Sequence, residues 1–218
     1  PVTTADVQLK AEFENGASIV GESKIFYSKK QQDCRIRQVQ LLPEHPKALP
    51  EAVRAIQQAD MIVLGPGSLY TSIIPNLLVD GIVEAIQESD ALKVYVCNVM
   101  TEDGETEGYT VSDHISAIFQ HAVPGLFDIC MTNSAPIPKG VAMRYAEEGA
   151  APIVCDVQRC AELGVEVIHR PIATVKNGYV RHDPGHLARE LILLHAARGM
   201  RIAGDRPGKN VYYPEREN

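Results

Sequence analysis

The chain has 218 residues, 45% hydrophobic and 22% charged, which suits a soluble α/β domain large enough for a proper core. Its apolar runs are too short to span a bilayer, and no basic segment followed by an apolar stretch marks a secretory signal. The net charge of −7 argues against broad nucleic-acid binding, so an anionic ligand would need a local positive site. Cys34, Cys97, Cys130, Cys155 and Cys160 are an odd set with no CxxC pair. Cys97 and Cys130 sit in apolar strand-like runs, as free thiols do in a reducing compartment, and the expected location is the cytoplasm.

Val7, Leu9, Ala11 and Phe13 alternate with polar residues before Asn15-Gly16, and Ile19 and Val20 follow. That pattern predicts a hairpin near 5–21. The basic stretch from Lys24 to Arg37 could steer an anion but reads first as a solvated loop, and Ile36, Val39 and Leu41 alternate as another strand. Leu49-Pro50-Glu51 opens a helix with Val53, Ile56 and Ala59 on one face. Met61 to Leu64 is a buried-strand run that breaks at Gly65-Pro66-Gly67-Ser68, and a helical segment with Tyr70, Thr71 and Ser72 follows. In a strand, glycine turn and helix, backbone N–H groups can converge on an anion, and glycine lets the main chain approach a phosphate. The same turn also serves as a plain connection.

Pro75 is expected to interrupt that helix. A second helix is predicted from about Asp80 to Glu88, and a strand from Lys93 to Cys97. The polar loop from Asn98 to Tyr109, NVMTEDGETEGY, ends in the capping-box pattern Thr110-Val111-Ser112-Asp113. The helix it starts carries Ile115, Ile118 and Phe119 inward, and Phe127 to Met131 is the next strand. Strands near 62, 95 and 129 with helices between them have the rhythm of a parallel sheet. Right-handed crossovers would set loops 65–71 and 98–109 side by side on one edge, where such folds bind ligands.

The last third is less regular. A helix is predicted from Val141 to Glu148, an extended stretch from Ala151 to Val154 and a strand from Val165 to Ile168. Asn177-Gly178 turns into Tyr179–His182, and Asp183 caps a helix with Pro184 at its first position, running to about Gly199. Residues 1–200 are expected to form one α/β domain, with 201–218 a loosely held tail.

Asn98, directly after a strand, can orient a ligand through its amide. Thr101, Glu105, Thr106 and Tyr109 offer hydroxyls and a carboxylate suited to ribose or sugar oxygens, unless the stretch is simply a surface loop. Arg181, at a strand end before a helix, could face a diphosphate bidentately or lie on the surface. His182 and His186 are separated by Asp-Pro-Gly, so they do not share a helical face and no metal pair is expected. His114 reads as structural. No Ser/His/Asp order or cysteine nucleophile motif is present.

GPGSLYTSIIPNLLV, VCNVMTEDGETEGYTVSDHI and MTNSAPIP together resemble the gluconeogenesis factor branch of the 2-phospho-L-lactate transferase-like (CofD-like) family. PVTTADVQLKAEFENG with VGESKI, and VRHDPGHLARELI, extend the likeness over nearly the whole chain. The resemblance implies a Rossmann-like three-layer α/β sandwich with a mostly parallel sheet, in a cytoplasmic bacterial protein linked to gluconeogenic growth and cell shape. It implies binding of UDP-sugars, UDP-N-acetylglucosamine in particular, with no required cofactor and no catalytic residue. The sister branch transfers a phospholactyl group to a deazaflavin, which is the alternative activity.

The resemblance places Gly65, Gly67, Ser68, Leu69, Tyr70 and Thr71, with Asn98, Met100 and Thr101, near the nucleotide's phosphates. Tyr145 and Arg181 match the family's tyrosine and arginine tied to UDP-sugar binding, leaving Glu105 and Thr106 for sugar or ribose oxygens. NAD is a rival ligand, although no G-x-G-x-x-G follows a strand. A homo-oligomer is admitted; nucleic acid and a membrane span are not expected. Family members also carry an upstream glycine-rich βα turn and an aspartate–aspartate–glycine loop. Those strands and that helix are missing here, so the chain is expected to be part of a longer domain with an exposed sheet edge, and catalysis by it alone is not expected.

Overall fold

The computed structural model describes residues 1–205, with the backbone alone for Lys30 and residues 199–205. Backbone contacts group into two compact units, Pro1–Asp183 and a second beginning at Pro184. The second unit, as far as it is described, is helix α8 (Pro184–Asp205). Of the loosely held tail expected over 201–218, residues 201–205 continue α8, and the rest lies outside the described residues.

In the first unit β1 (Gln8–Phe13) pairs antiparallel with β2 (Ser18–Val20) and β3 (Ile36–Leu42), giving a three-stranded sheet of order β2-β1-β3. The alternation of β1 explains its orientation: Leu9, Ala11 and Phe13 are buried and their neighbours are not. The predicted hairpin therefore forms around Asn15-Gly16, with Gly16 at φ +84°. Between β2 and β3 the basic stretch is α1 (Glu22–Gln32), a helix and not the solvated loop its charges suggested. Ile25 is buried in the core, and Lys29, nearly buried, pairs with Glu107 at 2.9 Å. Tertiary contacts decide the helix where the charge pattern could not.

The second sheet is parallel, ordered β4 (Met61–Leu64), β5 (Leu92–Val96), β6 (Ile129–Asn133) and β7 (Glu166–Arg170). The strands expected near 62, 95 and 129 are its first three, in register Leu64↔Tyr95↔Cys130. The architecture is mixed α/β, a four-stranded parallel sheet with helices. β4 forms an edge of this sheet, and its Val63 is 37% exposed, unlike the fully buried strand read from its apolar run. Before it, α2 (Pro50–Gln57) has Pro50 in its first turn as predicted, although its apolar face is only half-buried.

After β4 a π-turn, Leu69–Ile73, runs into α3 (Ile74–Leu77) and then α4 (Ile82–Glu88). Pro75 does not interrupt a helix. It stands in the first turn of α3, where a missing N–H leaves no intrahelical bond unmade. α5 (Val111–His121) is capped as predicted: Asp113 N–H donates to Thr110 Oγ1 and Thr110 N–H to Asp113 Oδ2. Ile115, Ile118 and Phe119 are buried. His121 at its end donates Nδ1–H to the Ala117 carbonyl and accepts Val39 N–H on Nε2 at 3.0 Å, tying α5 to β3. That pair of roles requires a neutral ring, and burial lowers its pKa accordingly.

α6 (Lys139–Glu147) and α7 (Val157–Glu162) connect β6 to β7. α7 has no counterpart in the sequence reading, its apolar positions being few over so short a span. β8 (Ala173–Lys176) and β9 (Tyr179–His182) form a hairpin on the Asn177-Gly178 turn, both residues at positive φ. All five cysteines are free thiols. Among the described residues no helix is long and apolar enough to cross a membrane.

Candidate functional site

The chain after β4 makes its turn because two positions accept only glycine comfortably. Gly65 sits at φ +80°, and a Cβ there would lie 3.0 Å from the Val96 carbonyl oxygen. At Gly67 a Cβ would come within 3.3 Å of Ser72 Cβ. The main chain thus passes close to β5 and turns back tightly, with Ser72 and Ile73 N–H groups donating to the Ser68 carbonyl at 2.9 and 3.0 Å. This turn lies at the C-terminal edge of the parallel sheet, the edge used for ligands in open α/β folds.

The loop after β5 lies beside it, as the crossover rule requires. Tyr70 N–H donates to Glu105 Oε2 at 3.3 Å, so that amide is already engaged. The two loops bound a cavity of about 540 Å³, within the usual size of small-molecule sites. Gly67, Ser68 and Ser72 line it from the first loop, Asn98, Met100 and Thr101 from the second. The side chains of Tyr145 and Arg181 complete it although they lie far along the chain.

Electrostatics single out one group. Arg181 forms no ion pair among the described residues; it donates to the Val180 carbonyl at 3.1 Å and rests 5.2 Å from the Tyr179 ring. His182 also lines the cavity, with Nε2–H donating to the Cys97 carbonyl at 3.2 Å, and burial lowers its pKa, leaving the ring neutral near pH 7. Among the described residues Arg181 is therefore the one permanent cation lining this cavity, and Glu102 the one carboxylate. Tyr145 accepts Val180 N–H on its hydroxyl at 3.0 Å, which fixes α6 against β9 and leaves the ring at the cavity wall.

Other predicted residues take different places. Leu69 and Tyr70 are buried in the core, with the Tyr70 hydroxyl 2.9 Å from that of Tyr109, so neither side chain lines the cavity. Thr106 is fully buried and accepts Glu102 N–H at 2.9 Å. Thr101 reaches the cavity, yet its hydroxyl accepts Ala151 N–H at 2.9 Å. Both threonines hold the loop's own backbone. Thr71 and Glu105 line a second cavity beside the first. Burial, then the neighbouring Glu102 charge, push the Glu105 carboxyl up to about 7. His114 is buried, with Nδ1–H donating to the Thr110 carbonyl at 2.8 Å, as a structural residue would be.

Ser72, Glu102 and His182 line the cavity without having been singled out as ligands. Each adjoins a chosen residue or motif, but only the folded chain shows which neighbours face the opening. Among the described residues no group of three or more His, Cys, Asp or Glu is placed to hold a metal ion.

A parallel sheet with a glycine turn at its C-terminal edge, and a cavity there lined by hydroxyls and an arginine, defines a Rossmann-like α/β protein. The family model described as 2-phospho-L-lactate transferase CofD matches residues 1–173, and the chain belongs to that family. It is 44% identical over 192 residues to a gluconeogenesis factor of Bacillus subtilis (strain 168), covering 88% of this chain and 59% of that protein. A gluconeogenesis factor of Halalkalibacterium halodurans is 42% identical over 192 residues, covering 88% and 58%. A solved Bacillus halodurans structure aligns with TM-score 0.83 at 41% identity, over 88% of this chain and 60% of that one. Another, described as a member of the UPF0052 family, aligns with TM-score 0.81 at 42% identity. The chain thus spans about three fifths of the length of these two relatives.

Proposed function

We propose that the chain carries the ligand site of a gluconeogenesis factor, a non-catalytic regulator that binds a UDP-sugar such as UDP-N-acetylglucosamine. The observation that carries this is Arg181: a cation without an ion pair among the described residues, on the same cavity as Gly67, Ser68 and Ser72. A diphosphate would bond the turn and the guanidinium, and Tyr145 would stack on a flat ring beside Met100 and Val180. The relatives' shared name supports the gluconeogenic role, and the regulated process would include cell shape during growth on such carbon sources.

The test is calorimetric titration of the chain with UDP-N-acetylglucosamine, beside its Arg181→Ala variant. Losing a charged hydrogen bond should weaken binding by about tenfold or more. Unchanged affinity in the variant would sink the assignment. The family match to a phospholactate transferase favours one second activity, nucleotide-dependent phospholactyl transfer. Product formation with a deazaflavin acceptor would replace the regulator by that enzyme.

A further inference from the structure

The second cavity, about 580 Å³, shares Ser68 and Glu102 with the first, so the two meet at the glycine turn. Their chemistry is opposite. The first holds Arg181; the second is lined by Glu22, Glu102, Asp103 and Glu105, with no lysine or arginine among the described side chains. Phe26 of α1 gives it an aromatic wall, and Thr71 contributes a hydroxyl. The wall is built closely against the loop: Gly104, at φ +78°, has the Phe26 ring where a Cβ would be, 2.3 Å from Cδ2. Any side chain at residue 104 would displace the ring.

A phosphate in this second cavity would meet a lining of four acidic residues and no cation among the described side chains, so charge disfavours it. A metal is not favoured either, since no group of three ligating side chains is assembled among the described residues. Carboxylates accept hydrogen bonds from neutral hydroxyls and amides, and an aromatic face packs against the C–H face of a pyranose ring. The geometry points to this Phe26-walled acidic cavity as the glycosyl subsite, taking the hydroxyl-rich sugar of a nucleotide-sugar whose diphosphate lies at the turn on the Arg181 side. The assignment rests on the nucleotide-sugar reading above and orients the ligand within it. Near neutral pH Glu105 is partly protonated, so it offers a donor as well as an acceptor to the sugar.

The test compares UDP with UDP-N-acetylglucosamine on the same chain, by calorimetry, in the wild type, Phe26→Ala and Ser23→Trp. Phe26 is 40% exposed and Ser23 is exposed, so neither change empties the core. Ser23 also lines the cavity, and a tryptophan there would fill it. The wild type should bind the sugar nucleotide more tightly than UDP. Phe26→Ala should cut that preference several-fold, and Ser23→Trp should abolish it, both with the Kd for UDP unchanged. Wild-type preference in both variants, or equal weakening of both ligands, overturns the subsite. So does a sugar preference that appears only with added magnesium, which would make the cavity a cation site. If Arg181→Ala alters neither ligand, or the wild type binds neither, the nucleotide reading itself fails, a result distinct from loss of the sugar preference alone.

Discussion

The two loops at the sheet's C-terminal edge look alike in polarity and behave differently. Residues 65–72 bury Leu69 and Tyr70 and turn Ser68, Thr71 and Ser72 toward cavities. Residues 98–109, nearly all polar or small, are mostly buried, with Thr101, Glu105, Thr106 and Tyr109 all inside. Their polar groups serve the loop itself: Thr106 holds Glu102 N–H, Thr101 holds Ala151 N–H, and Glu105 holds Tyr70 N–H. A glycine turn presents groups to a ligand because its backbone is short of side chains, whereas a long loop must satisfy its own amides first. Polarity in a sequence says that hydrogen bonds are needed, not who makes them.

Four changes would break or sharpen this contrast, and substitutions of two histidines add an opposite pH signature. Gly65→Ala should be the most severe, since a positive φ and a backbone oxygen 3.0 Å from the new Cβ act together. We expect a loss of about 2–3 kcal/mol, read by urea denaturation, with ligand binding lost alongside. In the second loop, Thr106→Val keeps the shape but strands Glu102 N–H in the interior. It should cost about 1–3 kcal/mol in stability, and an undiminished unfolding midpoint would show that the hydroxyl is not what holds the loop.

Arg181→Ala separates binding from stability. Affinity should fall at least about tenfold, while the unfolding midpoint stays within about 0.5 kcal/mol because the side chain is exposed and makes no ion pair among the described residues. Equal losses in both would make Arg181 a structural residue.

Glu105→Gln should give the smallest effect and the clearest pH signature. The folded protein holds this proton more tightly than the unfolded chain, at about 7 against 4.5. Its stabilising contribution is complete below the unfolded value and is lost as pH rises through the folded one. Wild-type stability should therefore decline relative to the glutamine variant between about pH 5 and pH 8, by on the order of 1 kcal/mol. Buried His114 and half-buried His121 act in the other direction. Their lowered values make stability present above 6.5 and lost as pH falls below it. Substituting either residue by glutamine should flatten the acid limb of an unfolding-midpoint profile, and a profile unchanged at acid pH would show that these rings do not govern it.

What could be read before folding was local or periodic. Asn15-Gly16 made its hairpin, Thr110 and Asp113 capped α5, and the spacing of apolar runs at 62, 95 and 129 became three neighbouring parallel strands. The family likeness in the loop motifs was legible for the same reason, because contiguous residues carry it. Elements with weak local signals were missed. α1 has one deeply buried residue, Ile25, and a lysine whose partner Glu107 lies in the polar loop, so nothing between Glu22 and Gln32 advertises a helix alone. α7 is too short for a period to show.

The sequence by itself determined the turns, caps, strand rhythm and membership of the family, because these depend on residues within a few positions of one another. Only the tertiary structure decided that loop 98–109 is mostly interior, that β1–β3 form a separate antiparallel sheet, and that Arg181 lines the same cavity as Gly67 across more than a hundred residues of chain. Those outcomes depend on which distant groups supply a hydrogen-bond partner, an apolar neighbour or an unpaired charge. Chain order does not encode that proximity until the sheet has formed.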